Sequence, residues 1–248
     1  MRALYLTLAV IGLFLGWVGQ SRAQDEVQIL LEKAIKANGG EETLRKQKAG
    51  QMKGKGTIEI AGGLAFTEEV TYLMPDKIKE SLELDINGQK VNVVTVFNGE
   101  KVSLKVNGQE MKTDDKMLAE FKEVSHVVQV GRLVALKDKA YELTPLGEAK
   151  VEGKAAVGLR VVRKGYKDIS LYFDKESGLV VKLERRGVDP MSGQEFAEER
   201  IVQEYQKVDD QPVPKKILIN RDGKKFHELE ILEIKLSETM DANEFNIS

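Results

Sequence analysis

Apolar and polar residues alternate with a period of two over most of this chain, the pattern of half-buried strands. Ile58 and Ile60 alternate with Thr57 and Glu59, and Leu64 to Leu73 forms the next strand. Over residues 77–86, Ile78, Leu82, Leu84 and Ile86 share a face, while Lys79, Ser81, Glu83 and Asp85 point the other way. Val91 and Val93 continue the pattern, as do Leu104 and Val106. Three Asn-Gly dipeptides, at 87, 98 and 107, punctuate this region and predict tight hairpins, because both residues of such a turn must accept positive φ. Further on, Leu159 alternates in phase with Val161, Leu171 with Phe173, and Val181 with Leu183. Longer strands follow around 195–205, 215–219 and 225–236. The last changes phase at Glu230-Ile231-Leu232, which predicts a β-bulge.

Two regions break the alternation. After Asp25 and Glu26, residues Val27, Leu30, Leu31, Ala34 and Ile35 recur at helical spacing, and Asn38-Gly39-Gly40 ends that helix. A second short helix is expected over 41–48. Over residues 114–130, extending towards 136, Met117, Leu118, Phe121, Val124 and Val128 make an apolar stripe behind a cap at Thr113 or Asp114. This stripe reads as core packing or as a removable plug over a curved sheet. The whole predicts eleven or twelve strands and two helical regions in one domain, residues 24–248.

The first residues change the picture. Arg2, an apolar run to Val18 and the small residues of Ser21-Arg22-Ala23 have the form of a secretory leader, residues 1–23, cut after Ala23. Losing Arg2 and Arg22 takes the formal charge from −2 to −4 with the signs interspersed, and no basic stripe for nucleic acid remains. The chain holds no cysteine, so disulfides, thiolate metal sites and an acylated anchor behind the leader are excluded.

Catalytic patterns are absent from the sequence. His126 lies among valines and His227 on the last strand, in no zinc-type spacing, so no metal and no cofactor are expected. No G-x-S-x-G elbow is present. The acid pairs at 41–42, 68–69, 114–115, 198–199 and 209–210 read as solvated charge. Glu80 stands on the face of Ile78 and Leu82; either a bulge turns it outwards, the commoner device, or it lines a cavity.

The order of elements resembles the LolA/LolB-like superfamily of periplasmic lipoprotein carriers and lipoprotein-sorting proteins. The resemblance rests on the helix ended by "NGG", the hairpin around "AGG", "TYLMPDKIKESLEL", "TVFNGEKVSLKVNGQE", the helical insert, "LYFDKESGLVVKLERR" and "EYQKVDDQPVPKKILI". It implies a mainly β fold with some helix: a curved, incomplete antiparallel β-barrel of about 11 strands whose open mouth is covered by helices. It further implies a soluble, exported, monomeric periplasmic carrier without enzymatic activity. Such a carrier would take acyl chains of lipid or lipoprotein on the apolar concave face and touch membranes only transiently. It would hand its cargo to envelope transport proteins for outer membrane lipoprotein sorting. The alternation alone supplies the candidate cavity wall, Ile58, Ile60, Ile78, Leu82, Leu84, Val91, Val93, Leu104, Val106, Leu159, Val161, Leu171, Phe173, Val181 and Leu183, and the candidate lid, Met117, Leu118, Phe121, Val124 and Val128. The alternative is a sensor or protein-binding module on the same fold.

Overall fold

The computed structural model describes residues 15–60, 62–189 and 192–247, with side chains from Gln24 onward. Residues 1–14 of the expected leader fall outside them, and residues 15–23 belong to the first helix. That helix, α1, runs Leu15–Ala37, so it begins about ten residues before the acidic pair expected to start it. A short α2 follows (Glu41–Lys46). Six strands come next: β1 (Ala49–Ile58), β2 (Leu64–Leu73), β3 (Lys77–Ile86), β4 (Gln89–Phe97), β5 (Val102–Val106) and β6 (Gln109–Met111). Helix α3 (Asp115–Gly131) and a single 3-10 turn (Val134–Lys137) lead into the second run. It comprises β7 (Tyr141–Val151), β8 (Lys154–Arg163), β9 (Ile169–Asp174), β10 (Val180–Val188), β11 (Glu195–Val208), β12 (Gln211–Arg221) and β13 (Lys224–Ser237).

The thirteen strands form one antiparallel sheet in the order β6-β5-β4-β3-β2-β1-β13-β12-β11-β10-β9-β8-β7. Pairing of β1 with β13 joins the two runs. The edges β6 and β7 do not pair, so the curved sheet stays open. The strand missed by the alternation argument is β7. Pro145 and Gly147 interrupt its pattern, and a register shift falls between them. An edge tolerates both, because one side of the strand needs no ladder bonds.

Turn chemistry follows the dipeptides in part. Asn87-Gly88 and Asn107-Gly108 have φ of 54° and 83°, and 49° and 79°, as a two-residue hairpin turn demands. Asn98-Gly99 does not make such a turn. The Asn98 side chain instead accepts the amides of Glu100 and Lys101, which spreads the connection over four residues. The predicted bulge is present: Lys53 pairs with Glu233 and Gly54 with Ile231, leaving Leu232 unpaired and 51% exposed.

Asp114 caps α3 by accepting the Met117 amide at 2.9 Å. The helix ends at Gly131 because Leu133 takes a positive φ of 64°, and only a 3-10 turn follows. The largest core lies under the helices. Leu31, Ala34 and Ile35 of α1 and Val127 and Val130 of α3 pack there on Leu159, Leu171 and Phe173 of β8 and β9. Each such large side chain contributes roughly 1.5–3 kcal/mol by leaving water. A second cluster joins Ile58, Phe66, Leu229 and Ile231 on the same face of β1, β2 and β13. A third, with Val151, Ala156 and Ile201, lies on the opposite face.

Candidate functional site: the concave face

Cross-strand register carries one face around the whole sheet. Leu82 pairs with Val93, and Val93 with Val106. Leu229 pairs with Ile217, Ile217 with Val202, Arg200 with Leu183, and Leu183 with Leu171. This face bears the helices and is therefore the concave one.

Its two halves differ. Leu159, Val161, Leu171, Phe173 and Leu183 are buried beneath α1 and α3; they are filled core. Leu82, Leu84, Val91, Val93, Leu104 and Val106 face the same way on β3, β4 and β5 but are only half-buried. Ile58 and Ile78 are buried at the margins of that open half. Two expected wall residues are elsewhere. Ile60 is 47% exposed beyond the end of β1. Val181 sits on the opposite face with Ile201 and Tyr172, because a register shift between Val180 and Lys182 slips the alternation by one.

Helix α3 spans the mouth. Phe121 approaches Phe97 of β4 with ring centroids 6.2 Å apart, and Ser125 and Gln129 donate to the Pro75 carbonyl between β2 and β3. On the other side Glu120 reaches β10. The helix is thus gripped over more than the predicted stripe. Met117, Glu120, His126, Val127 and Val130 are buried, whereas Leu118, Phe121, Val124 and Val128 remain half-buried.

The same face holds a group of charged side chains that the sequence reading placed in solvent. Glu68 and Glu198 are 5% and 2% exposed, and their neighbours Glu69 and Glu199 point outwards. Alternation alone carried this signal, since adjacent strand residues take opposite faces. Arg185 Nε lies 2.9 Å from Glu198 Oε1 and Arg200 Nε 2.7 Å from the same oxygen, while Arg185 Nη1 reaches Glu120 Oε1 at 2.7 Å. Arg221 lies between the rings of Phe196 and Phe226, at 4.0 and 3.7 Å, with Glu198 3.6 Å away. Burial alone would raise the Glu198 carboxyl, but Arg200 and Arg185 outweigh it and hold Glu198 at about 2.

Glu80 is turned inwards. The ladders of β3 with β2 and β4 run unbroken, placing Glu80 beside Val70 and Thr95, so no bulge rotates it to solvent. Burial, with Glu80 nearby, pushes Glu68 up to about 7 against the pull of Arg200. Burial likewise raises Glu80. His227 meets Phe66 edge-on at 4.5 Å and is lowered to about 4 by burial and by Arg200 and Arg221.

A cleft of about 700 Å³ opens elsewhere, lined by Ser170, Glu184, Arg186 and Glu199 of the outer face and reaching Arg185 and Glu198. Among the described residues no cluster of three or more His, Cys, Asp or Glu could hold a metal ion, and no helix is long and apolar enough to cross a membrane. The concave face thus combines an apolar half-open wall, a bridging helix and an internal charged floor.

Solved structures share this architecture. A LolA superfamily protein from Nitrosomonas europaea is 13% identical, with a TM-score of 0.53 over 89% of this chain and 97% of that one. A DUF1329 family protein from Desulfovibrio piger is 11% identical, with a TM-score of 0.53 over 89% and 97%. A domain named for outer membrane lipoprotein sorting, from Vibrio parahaemolyticus, is 11% identical, with a TM-score of 0.51 over 90% and 97%. No protein-family model and no curated protein matches the sequence. The chain has a LolA-like fold: an open, curved antiparallel barrel with helices on its concave face.

Proposed function

We propose that this protein is an exported, soluble carrier that binds acyl chains of lipid or lipoprotein on its concave face, for transfer across the periplasm to the outer membrane. The observation that carries this reading is the contrast within one face. The β8–β10 half is filled by helices, while Leu82, Leu84, Val91, Val93, Leu104 and Val106 remain half-buried, as do Phe121, Val124 and Val128 of the bridging helix, where Phe121 approaches Phe97 of β4. An acyl chain entering there gains about 0.8 kcal/mol per buried methylene. It replaces lid contacts of similar worth, so uptake and release stay close in free energy. The similarity to a domain named for lipoprotein sorting is in keeping with this role. Residues 1–23 act as the leader, and the exported chain begins at Gln24.

The free edges β6 and β7 favour a second reading, a module that binds an extended protein segment by strand addition. Native mass spectrometry of the protein purified without detergent from an envelope fraction separates the two. Adducts that dissociate as lipid or acylated peptide, and uptake of a fluorescent fatty acid that Val93→Arg abolishes, support the carrier. A bare chain that takes up no fatty acid overturns it and leaves the protein-binding module.

A further inference from the structure

Three polar side chains on adjacent strands, Glu68 of β2, Glu80 of β3 and Thr95 of β4, stand on the concave face beside the open apolar wall. Glu68 is 5% and Thr95 8% exposed. The register sets Glu80 directly beside Thr95 and one diagonal step from Glu68, which faces Leu82. Among the described residues none of the three side chains makes a hydrogen bond or ion pair, and their oxygens keep slight contact with solvent, since none is a fully buried atom without a partner. The cation that influences both acids, Arg200, is spent on Glu198 at 2.7 Å and forms no ion pair with either. When Glu68 and Glu80 are ionised the charged groups of this floor do not balance: Arg185, Arg200 and Arg221 then face Glu120, Glu198, Glu68 and Glu80, three cations against four carboxylates.

We propose that Glu68, Glu80 and Thr95 form a polar subsite for an ammonium group, so that the preferred ligand is an amphiphile carrying an amine on its alkyl chain. This rests on the carrier reading and names its ligand class. One ammonium supplies the missing positive charge and donates to both carboxylates and to the Thr95 hydroxyl. Its alkyl chain runs from there along Leu82, Val93 and Val106, which are consecutive neighbours in the ladder. An anionic amphiphile meets two carboxylates at the same place, and a neutral ester leaves them without a counter-charge.

Competition against a bound fluorescent fatty acid at about pH 8, above the value of about 7 for Glu68, tests the subsite. The probes are dodecylammonium, dodecanoate and methyl dodecanoate, applied to the whole protein. Dodecylammonium is expected to compete at about tenfold lower concentration than either other probe. Glu68→Gln with Glu80→Gln is expected to erase that preference while methyl dodecanoate still binds. Thr95→Val and the single Glu80→Gln, milder changes, reduce it in part. Glu83→Gln, on the opposite face, leaves it intact. Equal or tighter binding of dodecanoate or the ester by the unmodified protein overturns the subsite while leaving the carrier reading standing, as does a preference that survives in the double variant. If the protein takes up neither the fluorescent fatty acid nor any probe, the carrier reading fails and the subsite with it.

Discussion

Glu120 of α3 and Arg185 of β10 meet with Oε1 2.7 Å from Nη1, at side-chain exposures of 7% and 4%. The second carboxylate oxygen of Glu120 accepts the Val188 amide at 2.9 Å. One side chain thus fixes the bridging helix to the sheet through a buried charge pair and a backbone hydrogen bond. Glu120→Ala leaves Arg185 with Glu198 alone and an unpaired amide. Removing one partner of a buried pair costs about 3 kcal/mol. Urea unfolding is expected to show that loss, and hydrogen exchange should speed up across residues 115–131 before it does in the sheet. Equal protection of α3 in both proteins would contradict the anchoring role.

Glu68 makes stability depend on pH in an unusual direction. Its folded value, about 7, exceeds the ordinary glutamate value of 4.5, so the folded state binds the proton more tightly. Its contribution is fully present below about pH 4.5 and is lost as pH rises towards about 7. The shift corresponds to on the order of 3 kcal/mol. Glu68→Gln removes this term, so the variant gains stability over the parent as pH rises from 5 to 8. Urea unfolding of both proteins across that range gives the difference, and a constant difference would refute the assignment.

His126 acts in the opposite sense. It is wholly buried, stacked 4.2 Å from Tyr166 and 5.7 Å from Tyr141, and neither ring nitrogen has a hydrogen-bond partner. Burial, and then Arg163, lowers it to about 4. The unfolded chain therefore takes up the proton first, and stability is lost as pH falls from about 6.5 to about 4. His126→Leu removes two unpaired polar atoms and is expected to stabilise the protein by about 1 kcal/mol near neutrality. The gain should widen on acidification, which thermal melts at pH 7 and pH 5 would detect.

Gly56 sits where β1 passes closest to β13. A β-carbon there would lie 1.7 Å from the Glu228 carbonyl oxygen and 2.8 Å from Phe66 Cζ. The first of these is backbone and cannot move aside without breaking the ladder. Gly56→Ala is expected to destabilise the protein by about 3 kcal/mol, the upper end for overpacking. Gly88→Ala offers a comparison, since nothing stands within 4 Å of its β-carbon and only its positive φ is strained. An equal midpoint for Gly56→Ala and the parent would refute the close approach.

Period-two alternation, the turns at Asn87-Gly88 and Asn107-Gly108, a cap at Thr113 or Asp114 and the bulge near Leu232 were readable from residues alone, because each is a local requirement of capping, φ or strand phase. Strand β7 was not readable, because Pro145 argues against a strand everywhere except at an edge, and edge position is a property of the assembled sheet. Val181 was misplaced for a related reason: a bulge is invisible where no polar residue breaks phase.

The sequence by itself determined that most of this chain is antiparallel strand with one helical insert, since these follow from periodicity and turn residues. Only the tertiary structure decided which part of the inward face is filled and which stays half-open. Leu171 and Leu82 look alike along the chain, yet the first lies under α1 and α3 and the second faces the half-open wall. Likewise alternation puts Glu68 and Glu69 on opposite faces but does not say that Glu68 is buried among other charges. Curvature of the sheet brings Glu68 of β2 under the influence of Arg200 on β11, because a curved sheet gathers side chains from strands far apart in sequence, whereas Glu80 is its diagonal neighbour on β3.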